Sequence, residues 1–196
     1  TEQEIFTMDE LIDSFTLDKI HKAGARFMVD KAKWFNQHYL KGKSEEELAA
    51  VIQESKVGDR RYGLSQDLAI KLVRLMKDRV TFPQEIVSEV PFIFEAPTTY
   101  DEEIAKSKWN DDARKAMSVI KEAIQGIDNE GFTSQNIHDT IFPALEVAGI
   151  KAGKVMQAFR LVITGVGKGP DLMLTLEILG KEEVTKRIEK AVEVLG

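Results

Sequence analysis

The sequence predicts an all-α protein. Apolar residues recur at intervals of three and four along most of its 196 residues, which is the spacing of one face of a helix. Two S/T-x-x-E patterns, Thr7 with Glu10 and Ser44 with Glu47, precede such stretches and are typical of helix N-termini. The only candidate strand is the Phe-Ile-Phe stretch at residues 92–94. We therefore expect nine or ten helices.

The first half of the chain is divided into helices by capping residues and glycines. A short helix is expected to begin near residue 8, and Asp30 is expected to cap the next one, which ends at Gly42. Residues 56–63 (KVGDRRYG) indicate a loop with a basic pair. Leu64–Val80 then has a strong helical pattern.

Arg79 stands out in that helical pattern. It follows Met76 by three residues and Leu75 by four, where an apolar residue is expected if the face only packs inward. A structural interpretation is that Arg79 extends its aliphatic part along the core and places its charge at the helix C-terminus. Pattern alone favours this interpretation over a binding role.

The middle of the chain is punctuated by prolines and glycines. Residues 85–101 predict a short helix followed by an extended connection. Asn110 is expected to cap a long helix that ends near Gly126. The next helix contains Pro143, which predicts a kink or a helix start, and stops at Gly149.

Residues 153–188 form the most informative stretch. They begin with a helical run that includes Arg160 and that Gly165 is expected to end, while Pro170 is expected at the first position of the next helix. A glycine-rich phosphate loop, and hence a nucleotide-binding enzyme, is an alternative. The G-x-G-x-x-G spacing fails, because Gly165 and Gly167 are followed by Pro170 where a third glycine is needed.

Composition limits the classes of function. The chain has no cysteine, which excludes disulfide scaffolds, thiolate zinc sites and cysteine nucleophiles and favours the cytoplasm. No apolar run approaches the length of a membrane span, and the acidic N-terminus does not resemble a signal peptide. The absence of an initial methionine suggests a processed or excised segment.

The charge is distributed unevenly. The net charge of −6 argues against general affinity for nucleic acid, yet residues 151–190 carry eight basic and five acidic residues, a local balance of +3. The rest of the chain therefore has a net charge of −9. Solvated helix faces explain most of these lysines equally well.

No catalytic or metal-binding constellation is recognisable. His21, His38 and His138 are far apart in sequence, and no G-x-S-x-G pattern occurs. The acidic pairs Asp111–Asp112 and Glu182–Glu183 lie where first turns of helices are expected, and the helix dipole stabilises carboxylates there. We therefore expect a binding or positioning unit that is not catalytic by itself and holds no cofactor or metal.

Three motifs in order carry a family resemblance. The stretches GKVMQAFRLVITG, GPDL and LEILGKEEVTKRI resemble the C-terminal end of bacterial glutamyl-tRNA synthetases. Upstream, Lys31, Trp34, Asn36 and Tyr39 match a Lys-x-x-Trp-x-Asn-x-x-Tyr pattern of the same family. The resemblance covers nearly the whole chain. It departs from the family at Ala158, where proline is usual, and in lacking the HIGH and KMSKS signatures of the ATP-binding domain.

The resemblance implies a domain organisation. Residues 1–54 would end the stem-contact region, and 55–104 and 105–196 would form two anticodon-binding subdomains of a helical bundle or cage. Anticodon contacts would come from five residues: Arg79, Arg160, Gly169, Pro170 and Leu172. In the family, an arginine at the first of these positions goes with rejection of glutamine tRNA at the third anticodon base.

The resemblance also implies partners. The parent would be a class I aminoacyl-tRNA synthetase, a monomeric cytoplasmic ligase that joins glutamate to tRNA(Glu), with ATP and magnesium bound in its catalytic domain. This chain would bind tRNA and contact that catalytic domain. The alternative is a helical protein-interaction module without nucleic-acid binding, which would dock through its acidic surface and the EIVSEVPFIFE stretch at residues 85–95.

Overall fold

A computed structural model describes residues 3–20, 26–53, 56–57, 60–61 and 63–196. This part of the chain contains twelve α-helices, one 3-10 turn at Leu17–Lys19 and one pair of two-residue strands. The all-α prediction is confirmed. The expected number of helices was low because the short helices Pro91–Phe94 and Glu102–Lys108, of four and seven residues, were not predicted. None of the helices described is both long and apolar enough to cross a bilayer.

The first group of elements precedes residue 95. Its members are α1 (Met8–Ser14), α2 (Val29–Gly42), α3 (Glu45–Gln53), β1 (Lys56–Val57), β2 (Arg60–Arg61), α4 (Gln66–Met76), α5 (Glu85–Ser88) and α6 (Pro91–Phe94). Both predicted capping boxes are present, at the N-termini of α1 and α3. The predicted loop at residues 56–63 contains β1 and β2, which pair antiparallel with Lys56 opposite Arg61.

The second group of elements follows residue 101. Its members are α7 (Glu102–Lys108), α8 (Asp111–Gln125), α9 (Ser134–Val147), α10 (Ala152–Thr164), α11 (Leu172–Leu179) and α12 (Lys181–Leu195). Asn110 caps α8 as predicted, accepting a hydrogen bond from the Ala113 amide at 3.0 Å. Pro143 lies inside α9 and does not begin a helix.

Two hydrophobic cores correspond to these groups. The first core is formed by buried side chains between Leu40 and Phe92, and the second by buried side chains between Ala116 and Ala191. Leu174 and Ile178 of α11 pack against the first core, so this helix joins the two. The prediction of two helical subdomains therefore has a physical basis in two cores.

The predicted boundaries differ from this division. The boundary after residue 54 separates Leu48 and Ile52 from the core to which they contribute, and residues 54 and 55 lie outside the described part. The boundary after residue 104 falls inside α7. That helix packs mainly on α10 of the second core, so the cores divide between α6 and α7.

Three local predictions were wrong, each for an identifiable reason. Helix α2 begins at Val29, with Met28 as its N-cap, so Asp30 lies in the first turn, where its charge favours the helix dipole. Residues 92–94 belong to α6 because Pro91 begins a short helix. Asp171 is the N-cap of α11, which puts Pro170 before the helix.

Candidate nucleic-acid interface

The turn between α10 and α11 is fixed by its first glycine. Gly165 ends α10 in the left-handed region with φ of 80°, as predicted. Its carbonyl accepts a hydrogen bond from the Asp101 amide at 2.9 Å. A Cβ atom here would lie 2.9 Å from both Pro97 Cβ and the Thr99 carbonyl oxygen. Only glycine allows the segment that links the two cores to approach this closely.

Arg160 holds the far side of the same turn. Its Nη1 donates a hydrogen bond to the Pro170 carbonyl oxygen at 2.7 Å, and a Cβ added to Gly169 would lie 3.1 Å from that nitrogen. Burial lowers the pKa of the guanidinium, the Asp171 carboxylate raises it, and the charge of Arg79 lowers it. Arg160 stays charged, as arginine does in proteins, and it supports the backbone at residues 169–170.

Leu172 and Asp171 begin α11. The Asp171 carboxylate accepts a hydrogen bond from the Leu174 amide at 2.8 Å, which satisfies one of the free N–H groups of the first turn. Leu172 is 6% exposed and belongs to the second core. Only a small part of its side chain is therefore available as an apolar surface.

Arg79 lies in the turn after α4 and not on the helix. The helix ends at Met76, whose carbonyl accepts the Arg79 amide at 2.8 Å, and Val80 takes the buried position that follows. The Arg79 side chain is exposed. Its guanidinium has no hydrogen-bond or ion-pair partner in the described part of the chain. The structural interpretation of Arg79, a side chain that extends along the core, therefore does not apply, and no salt bridge within the described part of the chain explains an arginine at this position.

The five predicted residues lie along two neighbouring grooves. The inter-core groove, between the two cores, is lined by Arg79, Gly169 and Pro170. The α9–α10 groove, on the second core, is lined by Arg160 and Leu172. The Gly169–Pro170 turn lines the first groove, and its Pro170 carbonyl accepts a hydrogen bond from Arg160 of the second groove. The structure thus brings the five residues to one region, with Arg160 and Arg79 close enough for their charges to interact.

The inter-core groove has a mixed charge. Arg79 and Lys168 are its basic side chains, whereas its acidic side chains are Glu85, Glu89, Glu95 and Asp101. A surface that binds a run of phosphates is predominantly basic. This groove is better suited to groups that both donate and accept hydrogen bonds, as the edges of nucleobases do.

Comparison with known proteins identifies the family. Residues 26–192 match the family described as "Anticodon binding domain". The chain belongs to the anticodon-binding-domain family. Over its full length it is 42% identical to a glutamate–tRNA ligase of Cytophaga hutchinsonii, and 38% identical to that of Flavobacterium johnsoniae. The family predicted from the sequence is confirmed.

Solved structures agree with this membership. The chain superposes with a TM-score of 0.85 on a glutamate tRNA ligase from Elizabethkingia meningosepticum, solved in complex with its amino acid, at 41% identity over 99% of the chain. It superposes on glutamate-tRNA synthetase from Elizabethkingia anophelis with a TM-score of 0.79, at 39% identity over 97% of the chain. This anticodon-binding domain spans about 38% of the length of the relatives that it matches.

The two alternatives drawn from the sequence find no support in this anticodon-binding domain. Gly165 follows a helix and not a strand, which removes the context that a phosphate-binding glycine loop requires. Of the apolar residues of the proposed docking stretch, four are buried in the first core: Ile86, Val87, Val90 and Phe92. These four are therefore unavailable to a protein partner, and Ile93 and Phe94 are partly buried against the same core.

Arg187 was missed by the sequence reasoning. It is 3% exposed, and its Nη1 donates to the carbonyl oxygens of Phe92 at 2.7 Å and Ile163 at 2.8 Å. Its Nε donates to Glu183 Oε1 at 2.8 Å. The signal was present, because Arg187 follows Val184 by three residues on the buried face of α12. The same argument that singled out Arg79 also applies to it.

Proposed function

We propose that this domain binds the anticodon loop of glutamate tRNA as part of a glutamate–tRNA ligase, and that Arg79 reads a base there. The observation that carries the proposal is the free, exposed guanidinium of Arg79 in the same groove as the Gly169–Pro170 turn. An arginine suits this role because its fork of donors matches the acceptors on a base edge.

The other four residues have supporting roles in this proposal. Arg160 donates to the carbonyl of Pro170, so it positions the turn against which a nucleotide would lie. Gly169 leaves room for the Arg160 guanidinium, because an added Cβ would lie 3.1 Å from its Nη1. Leu172 contributes the exposed edge of its side chain to the neighbouring groove.

Discrimination follows from an arginine in this position. A base that presents two acceptors to Arg79 is bound, and a base that presents donors there leaves the guanidinium unpaired. We propose that Arg79 thereby rejects glutamine tRNA at the third anticodon base. The acidic residues of the groove limit nonspecific phosphate binding and sharpen this selectivity.

The complete ligase would join glutamate to its tRNA with ATP and magnesium bound in its catalytic part. The described residues of this domain include no cluster of three or more histidine and acidic side chains suited to a metal ion. In the proposal, the domain contributes recognition to a monomeric cytoplasmic enzyme and contacts its catalytic part. It contributes no catalytic residue.

A gel-shift titration tests the proposal. Glutamate tRNA and a copy with an altered anticodon are compared at two salt concentrations. We expect the altered copy to bind about 5- to 150-fold more weakly, and this ratio to persist at the higher salt, because base contacts release fewer counterions than phosphate contacts. Equal affinities for both tRNAs at both salt concentrations would refute base reading.

A further inference from the structure

The Lys-x-x-Trp-x-Asn-x-x-Tyr motif lies on α2 and has no role in the proposed function. Two of its side chains bind the N-terminal segment. Lys31 Nζ lies 2.5 Å from Glu4 Oε1, and the Tyr39 hydroxyl donates a hydrogen bond to the carbonyl oxygen of Phe6 at 2.6 Å. These contacts explain the lysine and the tyrosine of the motif as structural residues. They leave its asparagine, Asn36, to be explained.

Asn36 binds the turn that carries Arg79. Its Nδ2 donates a hydrogen bond to the carbonyl oxygen of Thr81, which is 45 residues away in sequence. Asn36 is partly buried and precedes Leu40, a buried residue of the first core, by four residues, so both lie on the same side of α2. The side of α2 that packs on the first core therefore also holds the segment after α4.

The turn is anchored on both sides of Arg79. Before it, Lys77 Nζ donates a hydrogen bond to the carbonyl oxygen of Lys43, the C-cap residue of α2, where the helix dipole favours a cation. After it, Val80 is 3% exposed and belongs to the first core. Arg79 thus lies between two anchored residues, and the backbone of the turn determines where its exposed guanidinium begins.

A carboxylate holds the other polar group of Thr81. Glu85 Oε2 accepts hydrogen bonds from the amides of Thr81 at 2.7 Å and Phe82 at 3.0 Å. Thr81 is therefore bound through both of its backbone polar groups, the amide by α5 and the carbonyl by α2. A backbone that is fixed before binding lowers the entropy cost of placing a side chain against a ligand.

We propose that Asn36 is a positioning residue for Arg79, because by holding Thr81 it keeps the guanidinium where it meets the third anticodon base. The inference rests on the proposed function. Asn36 lines neither the inter-core groove nor the α9–α10 groove, so it acts through the turn. Glu85 supports the same turn but also lines the inter-core groove, so only Asn36 separates positioning from contact with RNA. A bidentate contact with a base depends on the exact placement of the donor fork, so a displaced turn costs selectivity.

Two variants of Asn36 remove the donor. Asn36→Asp keeps the size of the side chain but places a carboxylate oxygen against the Thr81 carbonyl, and Asn36→Leu has a similar size and no charge. Gln37→Glu is the matched control, because it adds the same charge at the next residue, whose side chain has no hydrogen-bond partner among the described residues. Val80 and Glu85 still hold the turn in both Asn36 variants, so both should fold, as circular dichroism checks.

The measurement is the ratio of affinities for glutamate tRNA and for a copy altered at the third anticodon base, from anisotropy titrations. For the parent we expect a ratio of about 5- to 150-fold, the range for one bidentate base contact. Both Asn36 variants should lose most of this ratio by weakening the binding of glutamate tRNA alone. Combined with Arg79→Ala, neither should lower the ratio further, because the group that it positions is gone. Gln37→Glu should keep the ratio of the parent.

Other outcomes separate this inference from the proposed function. If the parent prefers glutamate tRNA and both Asn36 variants keep its ratio, positioning is refuted and base reading stands, even where thermal stability falls. Equal weakening of both tRNAs, a further loss of the ratio when Asn36→Leu is added to Arg79→Ala, or failure of both Asn36 variants to fold would also overturn a role confined to Arg79. No preference by the parent would refute both proposals.

Discussion

Arg187 donates a hydrogen bond from Nη1 to the carbonyl oxygen of Phe92, 95 residues away in sequence, at 2.7 Å. The same nitrogen donates to Ile163 at 2.8 Å. Phe92 belongs to α6 of the first core and Ile163 to α10 of the second. Since Phe92 also lines the inter-core groove, this buried guanidinium fixes the relative position of the two walls between which we propose that RNA binds.

Removing this connection should destabilise the domain. Arg187→Met keeps most of the volume but leaves two buried carbonyl groups and Glu183 without their donor. We expect a loss of roughly 2–4 kcal/mol in the free energy of unfolding, because two buried carbonyl oxygens lose their donor at about 1–3 kcal/mol each. Urea unfolding followed by circular dichroism measures it. Arg187→Lys should recover only part of the loss, because one ammonium lacks the fork that reaches these acceptors. A loss below about 1 kcal/mol for Arg187→Met would contradict the connection.

Gly165 tests the close approach between the α6–α7 segment and the turn. Gly165→Ala places a Cβ 2.9 Å from Pro97 Cβ and the Thr99 carbonyl oxygen, in addition to the strain of a positive φ. Gly149→Ala is the matched control, because Gly149 also has a positive φ, of 72°, but an open environment. We expect Gly149→Ala to lower the free energy of unfolding by about 1–2 kcal/mol from backbone strain alone. Gly165→Ala should lower it by more, and thermal unfolding of both variants measures the difference. Equal losses would show that the contact is relieved without cost.

The sequence was sufficient for features that depend on local chemistry. The capping boxes at Thr7 and Ser44, the cap at Asn110 and the left-handed glycine at Gly165 were predicted from a few neighbouring residues. Each of these features is stabilised within one or two helical turns, so that no knowledge of the rest of the fold is needed.

Features that depend on distant contacts were not predicted. The two carbonyl partners of Arg187, those of Phe92 and Ile163, belong to other helices, and nothing near Arg187 in sequence indicates them. Arg79 was identified by its interruption of an apolar pattern, but the pattern could not show that the helix ends at Met76. Pro170 suited the first position of a helix. The helix begins after Asp171 instead, because the Asp171 side chain caps α11. The placement of the five candidate residues along two grooves likewise required the packing of both cores.

Tyr100 should make the stability of the domain depend on pH in the alkaline range. Burial raises the pKa of its hydroxyl above the ordinary value, and the charge of Arg187 offsets part of that rise. A raised pKa means that the unfolded chain loses the proton first, so stability is complete below about pH 10 and falls as the pH rises further. Tyr100→Phe removes this ionisation. Between pH 9 and 11 the parent should lose more stability in urea unfolding than the variant. A parallel pH dependence would show that Tyr100 ionises freely in the folded state.

Arg79 and Arg160 should differ in what their removal costs. Arg79→Ala removes an exposed side chain that has no hydrogen-bond or ion-pair partner among the described residues, so stability should change by less than about 0.5 kcal/mol. Arg160→Ala removes the donor to the Pro170 carbonyl, so stability should fall by roughly 1–3 kcal/mol. Thermal unfolding of both variants without RNA measures this difference.

The RNA-binding effects of the two arginines should also differ. Arg79→Ala should weaken binding to glutamate tRNA by roughly 1–3 kcal/mol, while binding to tRNA altered at the third anticodon base changes little, because the base contact is lost only in the first case. Arg160→Ala should weaken binding to both tRNAs, because the turn that it supports borders both grooves. Anisotropy titrations with the two tRNAs give the four affinities. If Arg79→Ala weakens both tRNAs equally and reduces the salt dependence, Arg79 binds phosphate and the discrimination must come from another residue.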